Sequence, residues 1–244
     1  MDEKHVYEVI RYQEGVGLFL EDHLQRLHAA LTSSGLPCDV TAEAIEVLYE
    51  AKKDHLPSPI NMRIDVRDSG WAVHFRDPVA VDEKMYAKGV KVKAVPILRK
   101  NPNVKSDTDS HYAQMAQTYE KEGYFEYLLY DNGIIKEGAR SNFFAVKDDV
   151  VYTQDNKNVL MGITRKKILD ILEDMQIKVR HDDILIDKLE DFDGFFLSGT
   201  SIGVMPIGQI DGKCFASAQN TLIKRLIVEY NRCVDDYIAQ HTNK

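Results

Sequence analysis

A glycine followed by a threonine where a helix begins leaves backbone N–H groups and a hydroxyl available to an anion, and phosphates are commonly held this way. Gly162-Ile163-Thr164 has that form in this chain of 244 residues, because a helical run over 164–175 follows it. The same residues also read as an ordinary threonine N-cap. Ser198-Gly199-Thr200-Ser201, after an apolar run, is a second possible anion nest and equally a polar turn between strands. Lys105 lies in a polar stretch and reads by itself as a solvated lysine, as Arg26 reads as a cation on a helix face.

Positioning these residues requires strands and helices in a particular order. Val6–Tyr12 is β-rich, Gly15-Val16-Gly17 supplies a turn, and Leu18–Leu20 reads as a short strand. From Glu21, Leu24, Leu27, His28 and Leu31 recur at helical spacing until Gly35 and Pro37 stop them. A second helix is predicted from Thr41 to about Asp54, with Ile45 and Leu48 buried. Strands follow at Ile60–Val66 and Trp71–Phe75 around Asp68-Ser69-Gly70. The charged stretch Arg76–Lys88, which holds Pro78, reads as a linker. Beyond it the expected order is a strand at 89–95, a loop at 96–107, a helix at about 109–122 and a strand at 125–130. Asp131-Asn132-Gly133 is a hairpin turn. Strands at 143–146 and 150–152, a helix at 164–175, a strand pair at 195–197 and 203–207, and a last helix over about 217–239 complete the chain. That helix places Leu222, Leu226, Tyr230 and Val234 in i+4 steps. Without strict βαβ alternation, the pattern implies an α+β fold, divided into residues 1–80 and 86–244.

Acidic residues outnumber basic ones by 39 to 31, a formal charge of -8. No long basic cluster offers itself to nucleic acid or an anionic membrane. Three scattered cysteines suit neither a disulfide framework nor a zinc cluster, so no metal site is expected. Reduced thiols, a start without the form of a secretory signal, and the lack of an apolar run of about 20 residues imply a cytoplasmic protein.

The order of the pieces carries more than any one of them. Lys105-Ser106, then FEYLLYDNGIIKEGARSNFFAV over 125–146, VLMGITRKKIL over 159–169 and FFLSGTSIGVMPI over 195–207 resemble the class IV aminotransferases. VYEVIRY and LFLEDHLQRLHAAL match that family's opening segments, so the resemblance spans nearly the whole chain. It implies a fold type IV enzyme dependent on pyridoxal 5'-phosphate (PLP): a small N-terminal α/β domain, a larger C-terminal domain with a β-barrel-like core, and the cofactor between them. Lys105 matches the lysine that carries the cofactor as an imine and then moves protons, which needs an amine of lowered pKa. Glu137 matches the carboxylate that keeps the pyridine nitrogen protonated. Arg26 matches the arginine that grips the phosphate, with Ile163, Thr164 and Thr200 completing the cup. Tyr7 matches an aromatic position facing substrate, and Arg63 lies near an arginine of branched-chain enzymes that could serve the substrate carboxylate. As a strand residue, Arg63 also reads as the partner of a surface acid.

The chain departs from the family in starting close to VYEVIRY, in lacking the Arg-x-His pair of D-amino acid enzymes after Val66, and in having Ser110 where branched-chain enzymes have tyrosine. Glu8 is typical of the aminotransferases, whereas the lyases tend to carry threonine there. The resemblance therefore implies a homodimeric aminotransferase that moves an amino group between a small amino acid, of the branched-chain or D-amino acid class, and a 2-oxo acid. An aminodeoxychorismate lyase-type enzyme and a non-enzymatic PLP-binding relative are the alternatives.

Overall fold

The structure is a computed structural model that describes residues 4–37, 39–97, 105, 115 and 118–242. The chain divides into two compact units, one of residues 1–80, 104–109 and 233–244 and the other of residues 81–103 and 110–232. This differs from the contiguous division at 80–86 expected from sequence, because two later pieces group with the first unit. Lys105 is tied there by its carbonyl, which accepts the Tyr7 N–H at 2.9 Å. The chain from Cys233 is tied by Tyr237, whose ring packs 4.8 Å from that of Phe19.

In the first unit, β1 (His5–Gln13), β2 (Val16–Gly17), β3 (Ile60–Arg67) and β4 (Gly70–Arg76) form a sheet in the order β2-β1-β3-β4. All its pairings are antiparallel. Alternation along β1 buries Val6, Glu8, Ile10 and Tyr12. Helix α1 (Leu20–Ser34) contributes Leu24, Leu27 and Leu31 to the same core. Gly35, at φ 64°, ends α1 and lets the Leu36 N–H reach the Leu31 carbonyl at 3.0 Å. The strand expected at Leu18–Leu20 is instead a helix start: Phe19 takes a left-handed conformation, Leu20 is already helical, and only Val16–Gly17 pairs. Helix α2 (Ala42–Glu50) is shorter than expected, capped by the Thr41 hydroxyl. It buries Ile45 and Tyr49, while Leu48 is half-buried.

In the second unit, the stretch read as a linker ends in a helix, α3 (Glu83–Lys88), because Asp82 accepts the Met85 N–H at 2.8 Å. A mixed ten-stranded sheet forms the sheet-rich C-terminal region that the family resemblance implied. Its strands are β5 (Val90–Pro96), β6 (Glu126–Asp131), β7 (Ile134–Gly138), β8 (Asn142–Lys147), β9 (Val150–Thr153), β10 (Val179–Arg180), β11 (Ile184–Leu185), β12 (Gly194–Gly199), β13 (Gly203–Ile210) and β14 (Lys213–Cys214). The path runs β10-β9-β8-β12-β13-β5-β6-β7-β11, with β14 beside β13. β5 runs parallel to both β13 and β6. The β6–β7 turn is the one expected: Asn132 and Gly133 both take positive φ, 48° and 78°. Stacked pairs Phe143–Phe195 and Phe144–Phe196 join β8 to β12. Helix α4 (Ile163–Asp174) follows Gly162, and α5 (Thr221–His241) buries Leu222, Leu226, Tyr230 and Val234 in the expected i+4 series. Most of the loop and helix expected over 96–122, including Ser110, lies outside the described residues.

Candidate functional site

The first unit holds the candidate nucleophile. Lys105 is half-buried, and its Nζ stands 5.0 Å from the centroid of the Tyr7 ring. Arg63 approaches the same ring, with Cζ 3.9 Å from the centroid. Strand pairing explains the meeting. Tyr7 lies opposite Asp65, and Arg63 is two residues along β3 on the same face. Asp65 grips Arg63 with Nε bonds of 2.9 and 3.0 Å to its two oxygens, and accepts His5 Nε2 at 2.7 Å. Burial pushes the Asp65 carboxyl up, but its bonds to Arg63 and His5 outweigh that and hold it below the usual range. Arg63 is therefore paired with an acid, one of the two expectations for it, and lies beside the tyrosine next to Lys105.

On the opposite face of β1, Glu8 sits among apolar residues, 1% exposed. Arg26, on α1, donates from Nε to Glu8 Oε2 at 2.9 Å and from Nη2 to Oε1 at 2.6 Å. Such a two-pronged bond fixes the plane of the guanidinium. His23, one turn earlier, places Nδ1 3.1 Å from the same Oε1. Burial lowers the His23 pKa, and Glu8 opposes the shift. The sequence reading used Glu8 only as a family marker. Its place in the apolar alternation of VYEVIRY was the signal that it is a buried charge needing a partner.

The second unit holds the remaining candidates. Glu137, 3% exposed near the end of β7, accepts the Leu160 N–H through Oε2 at 3.1 Å. That bond sets the carboxylate two residues from Gly162. Gly162 precedes α4 without a side-chain cap, and Ile163 and Thr164 are buried in its first turn. Asn142 donates to the Leu160 carbonyl at 2.8 Å and stands against Gly162, where a Cβ would collide with Oδ1. Glycine is thus required at 162 by close approach rather than by φ. Thr200 is half-buried in the turn after β12, where the Ile202 N–H reaches the Gly199 carbonyl at 3.1 Å. The neighbouring Ser198 hydroxyl is buried with no hydrogen-bond partner among the described residues. Sequence reasoning missed Arg165. It is fully buried, donates to the Gln154 carbonyl at 2.8 Å and Asn156 Oδ1 at 2.6 Å, and lies in the field of Glu137. Burial pushes its pKa down to about 10.

The donor set of the second unit suits a phosphorylated aromatic ring with a protonated nitrogen. A buried carboxylate can hold that nitrogen's proton, and an uncapped helix start with a spare hydroxyl nearby can take phosphate oxygens. The residues present fit PLP. The overall arrangement is a mixed α/β fold of the fold type IV kind. It superposes on the branched-chain aminotransferase of the thermophilic archaeon Thermoproteus uzoniensis, solved with norvaline, at a TM-score of 0.81 and 21% identity, covering 96% of this chain and 88% of that one.

The model of the amino-transferase class IV family matches residues 5–210. The chain belongs to that family, whose members depend on PLP. It is similar to D-alanine aminotransferase of Bacillus licheniformis, 26% identical over 233 residues, 87% of this chain and 81% of the relative. It is also similar to a probable branched-chain-amino-acid aminotransferase of Rickettsia conorii, 37% identical over 138 residues, 54% of this chain. That match spans 47%, about half, of the Rickettsia protein's length.

Proposed function

We propose that this protein transfers an amino group between a small amino acid, of the branched-chain or D-amino acid class, and a 2-oxo acid, as a cytoplasmic homodimer. Among the described residues no helix is long and apolar enough to cross a membrane. The observation that carries the reading is the hold on Lys105 inside a chain of this family. A lysine from a polar stretch is pinned through its carbonyl to β1, with its amine beside the Tyr7 ring.

PLP, when bound, supplies an electron-withdrawing ring that stabilises negative charge at the substrate Cα. Lys105 would carry PLP through Nζ, and the same amine would take the proton from the substrate Cα. The Glu137 carboxylate holds the proton on the pyridine nitrogen. Arg26, oriented by Glu8, would offer phosphate a charge-assisted contact, and the Ile163 and Thr164 N–H groups and the Thr164 and Thr200 hydroxyls are the candidates for it in the second unit. Tyr7 faces the substrate, and Arg63, set by Asp65, is the candidate partner for its carboxylate.

A panel of D- and L-amino acids, read by loss of the cofactor's visible band, tests the reaction. Conversion to the pyridoxamine form supports transamination. Pyruvate release from aminodeoxychorismate without that conversion would assign the lyase, and inertness to all donors would leave a PLP-binding relative. Lys105→Ala is expected to abolish borohydride fixation of the cofactor while leaving the far-UV circular dichroism spectrum unchanged. Fixation that survives the substitution would place the nucleophile elsewhere.

A further inference from the structure

We propose that a cavity in the first unit, remote in sequence from Lys105, binds an aliphatic diamine or polyamine. The cavity has a volume of about 510 Å³, and Tyr12 and Tyr49 form an aromatic part of its wall. Cavities of a few hundred Å³ are the usual size for small-molecule sites. Four glutamates, Glu14, Glu21, Glu46 and Glu50, face it, against Lys53 and His241 as the basic groups. Lys53 is already bonded to Glu50 at 2.6 Å, and His241 lies 3.7 Å from Glu21. The local balance is negative within a chain of formal charge -8, so a cation is the favoured guest.

The acidic rim alone would define only a solvated surface. The second observation is the Tyr12 hydroxyl, which is buried with no hydrogen-bond partner among the described residues, on a side chain that is 2% exposed. A buried hydroxyl without a partner is costly, and such groups are rare unless something completes them. Its orientation is set by two neighbours. The Tyr12 ring stacks on Tyr49 with centroids 3.9 Å apart, and Gly17 lies against the hydroxyl end, where a Cβ would come within 2.9 Å of Cζ. Gly17 and Tyr12 both line the cavity, which sets the hydroxyl end at its wall, and burial, then Glu46, Tyr49, Glu50 and Tyr237, raise the Tyr12 pKa. The phenol keeps its proton and retains lone pairs for an incoming N–H.

Ammonium groups match this set. One donates to the Tyr12 oxygen and lies near the tyrosine rings, where cations are attracted. A second, an aliphatic spacer away, meets the carboxylates of the rim. Among the described residues the acidic groups do not converge as they would on a metal ion, which favours an extended organic cation over a compact one.

Calorimetric titration of the full, PLP-loaded chain with putrescine and with spermidine, at constant ionic strength, tests the proposal. The expected result is one saturable site per chain, weakened about tenfold or more by Glu46→Gln and also by Tyr12→Phe, with the cofactor's visible band unmoved. Glu46 is exposed, so its substitution tests the site even where Tyr12→Phe disturbs packing. Absence of saturable binding would overturn the proposal, as would an affinity indifferent to Glu46→Gln. Binding that shifts the visible band would report amine capture at the cofactor and would overturn it too. None of these outcomes depends on which amino donor the enzyme accepts.

Discussion

Each unit buries a carboxylate, and the two respond in opposite directions. Glu8 in the first unit and Glu126 in the second are 1% and 0% exposed. Burial pushes Glu8 up, yet Arg26 and His23 outweigh it and hold its carboxyl far below the ordinary range. Burial also pushes Glu126 up, and there it prevails over Arg140 and the bonds from the Arg140 N–H and Ser141. The Arg140 guanidinium approaches Glu126 only to 3.9 Å and is itself partly exposed. Burial therefore does not decide the charge of a carboxyl; a cation buried with it does. Glu8 is held as an anion that fixes Arg26, whereas Glu126 is a hydrogen-bonding strut beneath the turn from β7 to β8.

The largest expected effect on this contrast comes from Glu8→Gln. Arg26 would remain with a neutral partner, and breaking a buried pair from one side costs about 3–5 kcal/mol. Urea denaturation measures that loss, and equilibrium dialysis of PLP should show weaker retention because the guanidinium loses its orientation. Unchanged cofactor affinity would separate Glu8 from the phosphate site. Arg165→Met should cost about 1–3 kcal/mol, since the Gln154 carbonyl and the Asn156 side chain lose buried donors. Glu126→Gln should change stability at pH 7 by no more than about 1 kcal/mol, because an amide can bond to Ser141 once that hydroxyl rotates.

The pH dependence sharpens the comparison. A carboxyl whose folded pKa is depressed stabilises the fold above its unfolded value, here 4.5, and that stability is lost as pH falls below it towards the folded value. Glu8 therefore adds to acid denaturation, and Glu8→Gln should flatten the acid limb of a stability profile. The folded pKa of Glu126 is raised, so its contribution is fully present below 4.5 and is lost as pH rises through the folded value. Glu126→Gln should leave the acid limb no flatter and reduce the decline on the higher-pH side. A wild-type acid limb reproduced by Glu8→Gln would contradict the assignment of Glu8 as a buried anion.

Much of the fold was legible because its signals are local. Asn132-Gly133 dictates a two-residue hairpin whatever surrounds it, and the i+4 series in α5 marks a buried stripe. The strand expected at Leu18–Leu20 failed because three apolar residues suit a strand or a helix start equally, and packing against the β1 core chose the helix. The end of the supposed linker is helical because Asp82 caps it, a signal hidden inside a charged run.

The candidate site divides in the same way. Gly162-Ile163-Thr164 and Glu137 were legible as candidates from the order of motifs, since each belongs to a contiguous stretch. The sequence by itself determined the family and the glycine-led start of α4. Only the tertiary structure decided that Glu8 and Arg26 clasp each other, that Arg63 shares the Tyr7 ring with Lys105, and that Arg165 is buried. Those facts depend on strand register and on contacts between segments 9 or more positions apart in the chain. A charge's partner at such a distance is chosen by the fold.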